Sequence, residues 1–211
     1  MMSNRYTKIA TLVVLLFGIL LISIGTDGFT AFTAETARVN KLLEDKPEFP
    51  DVTFQDSQER EYSMDEFRGN YVLITFFYSS CTTVCIDLEM NMSELYDKIP
   101  QKYIGKDIDF LSISFDPDRD DPATLDIYKN MFNSDGETWR MASIQNEEQL
   151  ANVLKEFGVI VIPDDYGNFA HNSAFYLVDE NGVLQEVMDY KDVDAAAEKI
   201  INILDSGEGR S

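Results

Sequence analysis

The sequence predicts an α/β domain, a central mixed β-sheet flanked by helices, behind a short N-terminal apolar segment. Three observations carry that expectation. The uninterrupted apolar run YVLITFF at residues 71–77 reads as a strand buried on both faces, and residues 84–98 follow it with helical spacing at Val84, Leu88, Met92 and Leu95. A second β-type run, DIDFLSISF at 107–115, leads to Asp121-Pro122, an N-cap with proline at the first helical position. Finally, AFYLV at 174–178 turns through Asn181-Gly182 into residues 183–187, a hairpin signal.

The remaining elements fall between these. Residues 51–54 and 61–64 flank a polar turn and predict an opening hairpin. Residues 147–157 predict a helix that stops at Gly158, and 192–204 predict a closing helix. The order β-α-β-α-α-β-β-α from the first long strand suits a thioredoxin-like architecture. The expected organisation is a cytoplasmic tip and anchor over 1–26, a linker with a short helical stretch over 27–47, the thioredoxin-like domain over 48–207 and a tail over 208–211. The 185 residues after position 26 are enough for one domain with a sizeable core.

The N-terminus has its own chemistry. Arg5 and Lys8 precede an uncharged run of 17 residues, IATLVVLLFGILLISIG. That length is the short end of a membrane span and also fits a signal peptide. A cut near Ala31-Phe32-Thr33-Ala34 is a poor fit, because Phe32 is bulky and the site lies far from the apolar run. No cysteine follows closely enough for a lipoprotein anchor. The expectation is an uncleaved anchor. Basic residues before the run and acidic ones after it place the N-terminus in the cytoplasm and the domain on the extracytoplasmic, oxidising side.

The whole chain carries a formal charge of −21, and without Arg5 and Lys8 the rest holds 15 basic against 38 acidic residues, or −23. Such a surface repels phosphates, so nucleic acid is excluded as a partner. Acidity of this kind suits a solvated surface, or the steering of a cationic partner or metal.

Cys81 and Cys85 are the only cysteines and His171 is the only histidine. The cysteines stand four apart where a strand runs into a helix, a spacing that brings two thiols onto one helix face. A helix N-terminus favours the thiolate, which is both nucleophile and metal ligand, and Thr82 or Thr83 could cap there. A plain structural disulfide is the alternative, but so short a loop gains little from closure. His171 sits in a predicted loop just before the 174–178 strand. In thioredoxin-like folds that loop faces the cysteine helix and carries a cis-proline, whereas here the nearest proline is Pro163. Two thiolates and a neutral imidazole suit a soft cuprous ion.

The acidic turn Asp116-Pro117-Asp118-Arg119-Asp120-Asp121-Pro122 is no EF-hand, because positions six and twelve hold Asp121 and Ile127 rather than Gly and Glu. It reads as a helix-capping turn, with Asp116 or Asp120 available to tune the neighbouring site. Met90 and Met92 are soft donors, but helical methionines of this spacing belong to a core.

Four segments in order resemble the Sco/SenC family of membrane-anchored, thioredoxin-like copper proteins. They are FRGNYVLI at 67–74, FYSSCTTVC at 77–85, ISFDPDRD at 113–120 and HNSAFYLVD at 171–179. Where the family usually has proline after each cysteine, this chain has Thr82 and Ile86. The resemblance spans about Phe49 to Leu204. It implies copper ligation by Cys81, Cys85 and His171, and delivery of copper to the binuclear copper site of cytochrome c oxidase or to another copper protein. The alternative it leaves is client-specific thiol–disulfide exchange. Cys81 would attack, Cys85 would resolve, and a thiol reductant would restore the pair. A peroxiredoxin-like site is excluded, since its two leading positions hold Ile74 and Tyr78.

Overall fold

A computed structural model describes residues 3–25 and 34–207. The segment around Ala31-Phe32-Thr33 and the tail at 208–211 lie outside the described residues. The chain divides into two units, Met1–Glu44 and Asp45–Ser211.

In the first unit, helix α1 (Ser3–Gly25) holds an 18-residue apolar window, Tyr6–Ser23, with mean hydropathy 2.1 and none of it buried. It is long and apolar enough to cross a membrane. The short helix expected before Pro47 is α2 (Ala34–Asp45).

The second unit is a seven-stranded mixed sheet flanked by helices, the thioredoxin-like arrangement the sequence predicts. Its strands are β1 (Phe54–Asp56), β2 (Glu61–Tyr62), β3 (Tyr71–Phe77), β4 (Ile108–Ser114), β5 (Trp139–Ser143), β8 (Phe175–Val178) and β9 (Leu184–Met188). They lie in the order β2-β1-β5-β4-β3-β8-β9. The central trio β3, β4 and β5 is parallel, and β8 runs antiparallel to β3. The register Phe77↔Ser114↔Ser143 brings the C-terminal ends of all three parallel strands level. Loops leaving those ends therefore share one edge of the domain, the usual place for a site in an open α/β sheet.

Helix α3 (Val84–Lys98) follows β3 and packs on the closing helix α6 (Val193–Gly207). Helix α4 (Pro122–Met131) starts where expected: Asp121 is its N-cap and accepts from the Thr124 N–H at 2.8 Å. Helix α5 (Glu147–Glu156) is capped by Asn146 and ends at Phe157-Gly158, with Gly158 at φ +61°. That left-handed conformation is one glycine adopts without steric penalty. The core between the layers holds Phe54, Phe76, Phe77, Phe110, Trp139, Phe157, Phe175 and Tyr176, each essentially inaccessible.

Three features depart from the sequence reading. The arms of the opening hairpin, expected at 51–54 and 61–64, are β1 and β2, and Met64 already opens a 3-10 turn that runs to Phe67. The strand β5 is additional, and it completes the parallel trio. The segment before β8, expected to be a loop, is a separate two-stranded hairpin of β6 (Val161–Pro163) and β7 (Phe169–His171). Its turn is organised by Asp164, whose Oδ1 accepts from the N–H groups of Tyr166 and Asn168 at 2.8 Å each.

Candidate metal centre

The end of β3 positions the first thiol. Beyond Phe77 the chain turns away from the sheet, with the Cys81 N–H donating to the Tyr78 carbonyl at 3.2 Å. The carboxylate of Asp120, fully buried, catches this loop. It accepts from the Ser79 N–H at 3.0 Å and from the hydroxyls of Ser79 and Ser114. A buried carboxylate needs such donors, and here they all come from the strand ends that frame the site.

Helix α3 then begins at Val84, so Cys81 lies in the turn before it and Cys85 in its first turn. Thr83 takes the N-cap position without a side-chain hydrogen bond. Instead the Cys81 Sγ accepts from the Cys85 N–H at 3.3 Å, so sulfur performs the capping expected of the threonines. Both thiols are free and buried. Their proton affinities diverge. Burial opposes ionisation of Cys81, but donation from the Thr83 and Cys85 N–H groups and from the Cys85 and Tyr78 side chains prevails, and its pKa falls below the ordinary thiol value. Burial pushes the Cys85 thiol well up, and the neighbouring Cys81 adds to the rise. Iodoacetamide should accordingly alkylate Cys81 first, at least about tenfold faster than Cys85. Peptide mapping by mass spectrometry measures this, and equal rates would contradict the asymmetry.

His171 arrives from the other side, at the end of β7 and paired with Val161. Its Nε2 lies 3.2 Å from the Cys85 Sγ. The Nδ1–H donates to the Asn172 carbonyl at 3.1 Å, which leaves the Nε2 lone pair facing the thiol. Burial lowers the imidazole pKa, more than the Asn172 carbonyl raises it, so the ring is neutral at pH 7. Tyr78 and Phe115 wall it edge-on at 6.1 and 5.0 Å between ring centroids.

The sulfurs of Cys81 and Cys85 and a His171 ring nitrogen all lie within 4.8 Å of one another. Two sulfurs and one imidazole nitrogen, two of the three residues buried, are a soft donor set with the composition that Cu(I) prefers. The acidic turn contributes no such donors. Asp116 is paired with Arg119, and Asp120 is occupied by Ser79 and Ser114. Met92 is buried in the core as expected, while Met90 is exposed. Sequence reasoning singled out the three donors but missed Tyr78, Arg119 and Asn172. Their only sequence signal is adjacency to the cysteine run, the acidic turn and His171.

Comparison with known proteins identifies the family and the fold. A curated relative, the SCO1 protein homolog of Bacillus subtilis, is 27% identical over 144 residues, which are 67% of this chain and 72% of the relative. The fold is shared with yeast Sco1, solved with copper bound, at a TM-score of 0.64 and 23% identity over 76% of this chain and 90% of that one. It is shared also with BsSco, described as a Sco-family cytochrome c oxidase assembly protein with a disulfide switch. That match has a TM-score of 0.66 and 24% identity over 79% of this chain and 96% of the other. The SCO1/SenC family model matches residues 41–205, and the chain belongs to that family.

Proposed function

We propose that this protein is a membrane-anchored copper carrier. Cys81, Cys85 and His171 hold the ion and pass it to the binuclear copper site of cytochrome c oxidase or to another copper protein. The observation that carries the reading is the convergence of two reduced thiols and one neutral imidazole within 4.8 Å. Family membership and the copper-bound yeast relative support it. The cysteine sulfurs bind as thiolates and His171 through Nε2, so loading releases the thiol protons. Transfer is ligand exchange with thiols of the acceptor. In this reading α1 anchors the chain over residues 1–26, 27–47 is a linker, and the domain over 48–207 works on the extracytoplasmic face with a short tail at 208–211.

Copper titration of the reduced full chain in detergent tests the proposal. One copper per chain is expected, with affinity weakened at least about tenfold by each of Cys81→Ser, Cys85→Ser and His171→Ala. Weak, non-stoichiometric binding would overturn it.

The opposite proton affinities of the two thiols favour a second reading. Cys81, as thiolate, attacks a client disulfide. Cys85 then resolves the mixed disulfide, leaving a Cys81–Cys85 bond and a reduced client, and a thiol reductant restores the pair. Rapid disulfide exchange through Cys81 without tight copper binding would promote this reading over the first.

A further inference from the structure

The β6–β7 hairpin that delivers His171 is small. Each strand has three residues, and among the described residues they pair only with each other, outside the main sheet. A lone two-stranded ribbon is marginal in water, so its position over the thiols must come from attachments to the domain. Three exist. At its base Asn172 closes the loop, its Oδ1 accepting from the Ile160 N–H at 2.7 Å and its Nδ2 donating to the Gly158 carbonyl at 3.2 Å. In the middle, the Phe169 N–H donates to the Tyr78 hydroxyl at 3.2 Å, and the Phe169 ring meets those of Tyr78 and Phe115 edge-on. At its turn Arg119 Nη1 donates to the Gly167 carbonyl at 2.7 Å.

The third attachment is the unusual one. Arg119 comes from the acidic turn, 48 residues away from Gly167 in sequence. Its Nε is paired with Asp116, and its guanidinium lies 5.4 Å from the Phe169 ring centroid and 5.7 Å from that of Tyr78. A planar guanidinium has five N–H donors in a fixed fork and a face that stacks on rings, so it can meet a carboxylate, a carbonyl and a ring at once in one set orientation. One residue further on, Asp120 holds the cysteine loop through Ser79. The turn from Asp116 to Asp120 thus grips both arms of the site. Asp120 takes the arm with the thiols, and Arg119 takes the arm with the imidazole.

We propose that Arg119 is a positioning residue that clamps the β6–β7 hairpin and thereby holds His171 over the cysteine pair. The clamp deepens the copper-carrier reading and rests on it where copper affinity is concerned. A role confined to bonding Asp116 within its own turn would leave His171 untouched.

The test is a double-mutant cycle on the full chain in detergent, combined with hydrogen exchange of the copper-free protein. Arg119→Ala should weaken copper binding about tenfold in the wild-type background and leave the His171→Ala background unchanged. Equal weakening in both backgrounds, or none in either, would overturn the clamp. In the copper-free protein the Phe169 amide should exchange about tenfold faster in Arg119→Ala while the amides of α3 keep their protection. Unchanged exchange at Phe169 also overturns it. If the wild-type chain binds no copper, the carrier reading falls and exchange at Phe169 alone decides the clamp. Should Arg119→Ala fail to fold, Asp116→Ala, which removes the oxygen that accepts from the Arg119 Nε–H, is carried through the same measurements and judged by the same outcomes.

Discussion

Phe157→Ala should destabilise the domain by about 3–5 kcal/mol, the range for removing a fully buried phenylalanine and leaving a cavity. Phe157 has no exposed surface, and its ring lies 5.1 Å from Phe49, 6.2 Å from Phe76 and 5.9 Å from Tyr176 between centroids. These partners come from the segment before β1, from β3 and from β8, so the cavity would open between elements that cannot all close on it. Phe157 is also the C-cap of α5, and the loop to the His171 hairpin starts at the next residue. Urea unfolding followed by the fluorescence of Trp139, the single tryptophan and a core residue, gives the number directly. A loss below about 1 kcal/mol would mean that the aromatic cluster repacks around the gap.

Glu89→Gln should stabilise the protein at pH 8 by about 3 kcal/mol and change little at pH 4. Glu89 is fully buried on α3, one turn beyond Cys85, and accepts from Thr75 Oγ1 and Ser112 Oγ at 2.7 Å each. Burial pushes its pKa up to about 7 from an ordinary 4.5, and the two hydroxyls offset only part of that rise. Between those two values the folded chain keeps a proton that the unfolded chain has released. Stability therefore falls as pH rises from 4.5 toward 7 and stays reduced above. Glutamine has the same shape and never ionises; its Oε1 can accept from Ser112 Oγ while its Nε2 donates to Thr75 Oγ1, whose own hydrogen can go to Ser112 Oγ at 3.0 Å, so that loss disappears. Unfolding free energies of both proteins from pH 4 to 8 make the comparison. Parallel profiles would show that Glu89 titrates as it does in water.

The parts of the fold legible in the sequence are those whose burial repeats along the chain. Strand β3 and helix α3 have the predicted limits because one is apolar throughout and the other has a period close to 3.6. Strand β5 was hidden by Arg140. The charge argues against a central strand, yet the guanidinium lies over the rings of Tyr62 and Phe67 at 4.8 and 5.3 Å, residues far away in sequence. The β6–β7 hairpin was hidden by its brevity and by Pro163, which pairs with Phe169 in a ribbon too short to show alternation. The three donors were legible because the chain has no other cysteine or histidine to confuse them. Arg119 was not, since its contacts with Gly167 and Phe169 depend on a tertiary approach that an acidic turn does not advertise.

The bond from the Cys85 amide to the Cys81 sulfur gives the protein an internal gauge. Whatever Cys81 is joined to, a proton, a metal ion or another sulfur, alters the charge on that atom, and the amide aimed at it senses the difference. A single backbone resonance at the head of α3 would then distinguish the reduced, loaded and oxidised forms of the chain in one spectrum.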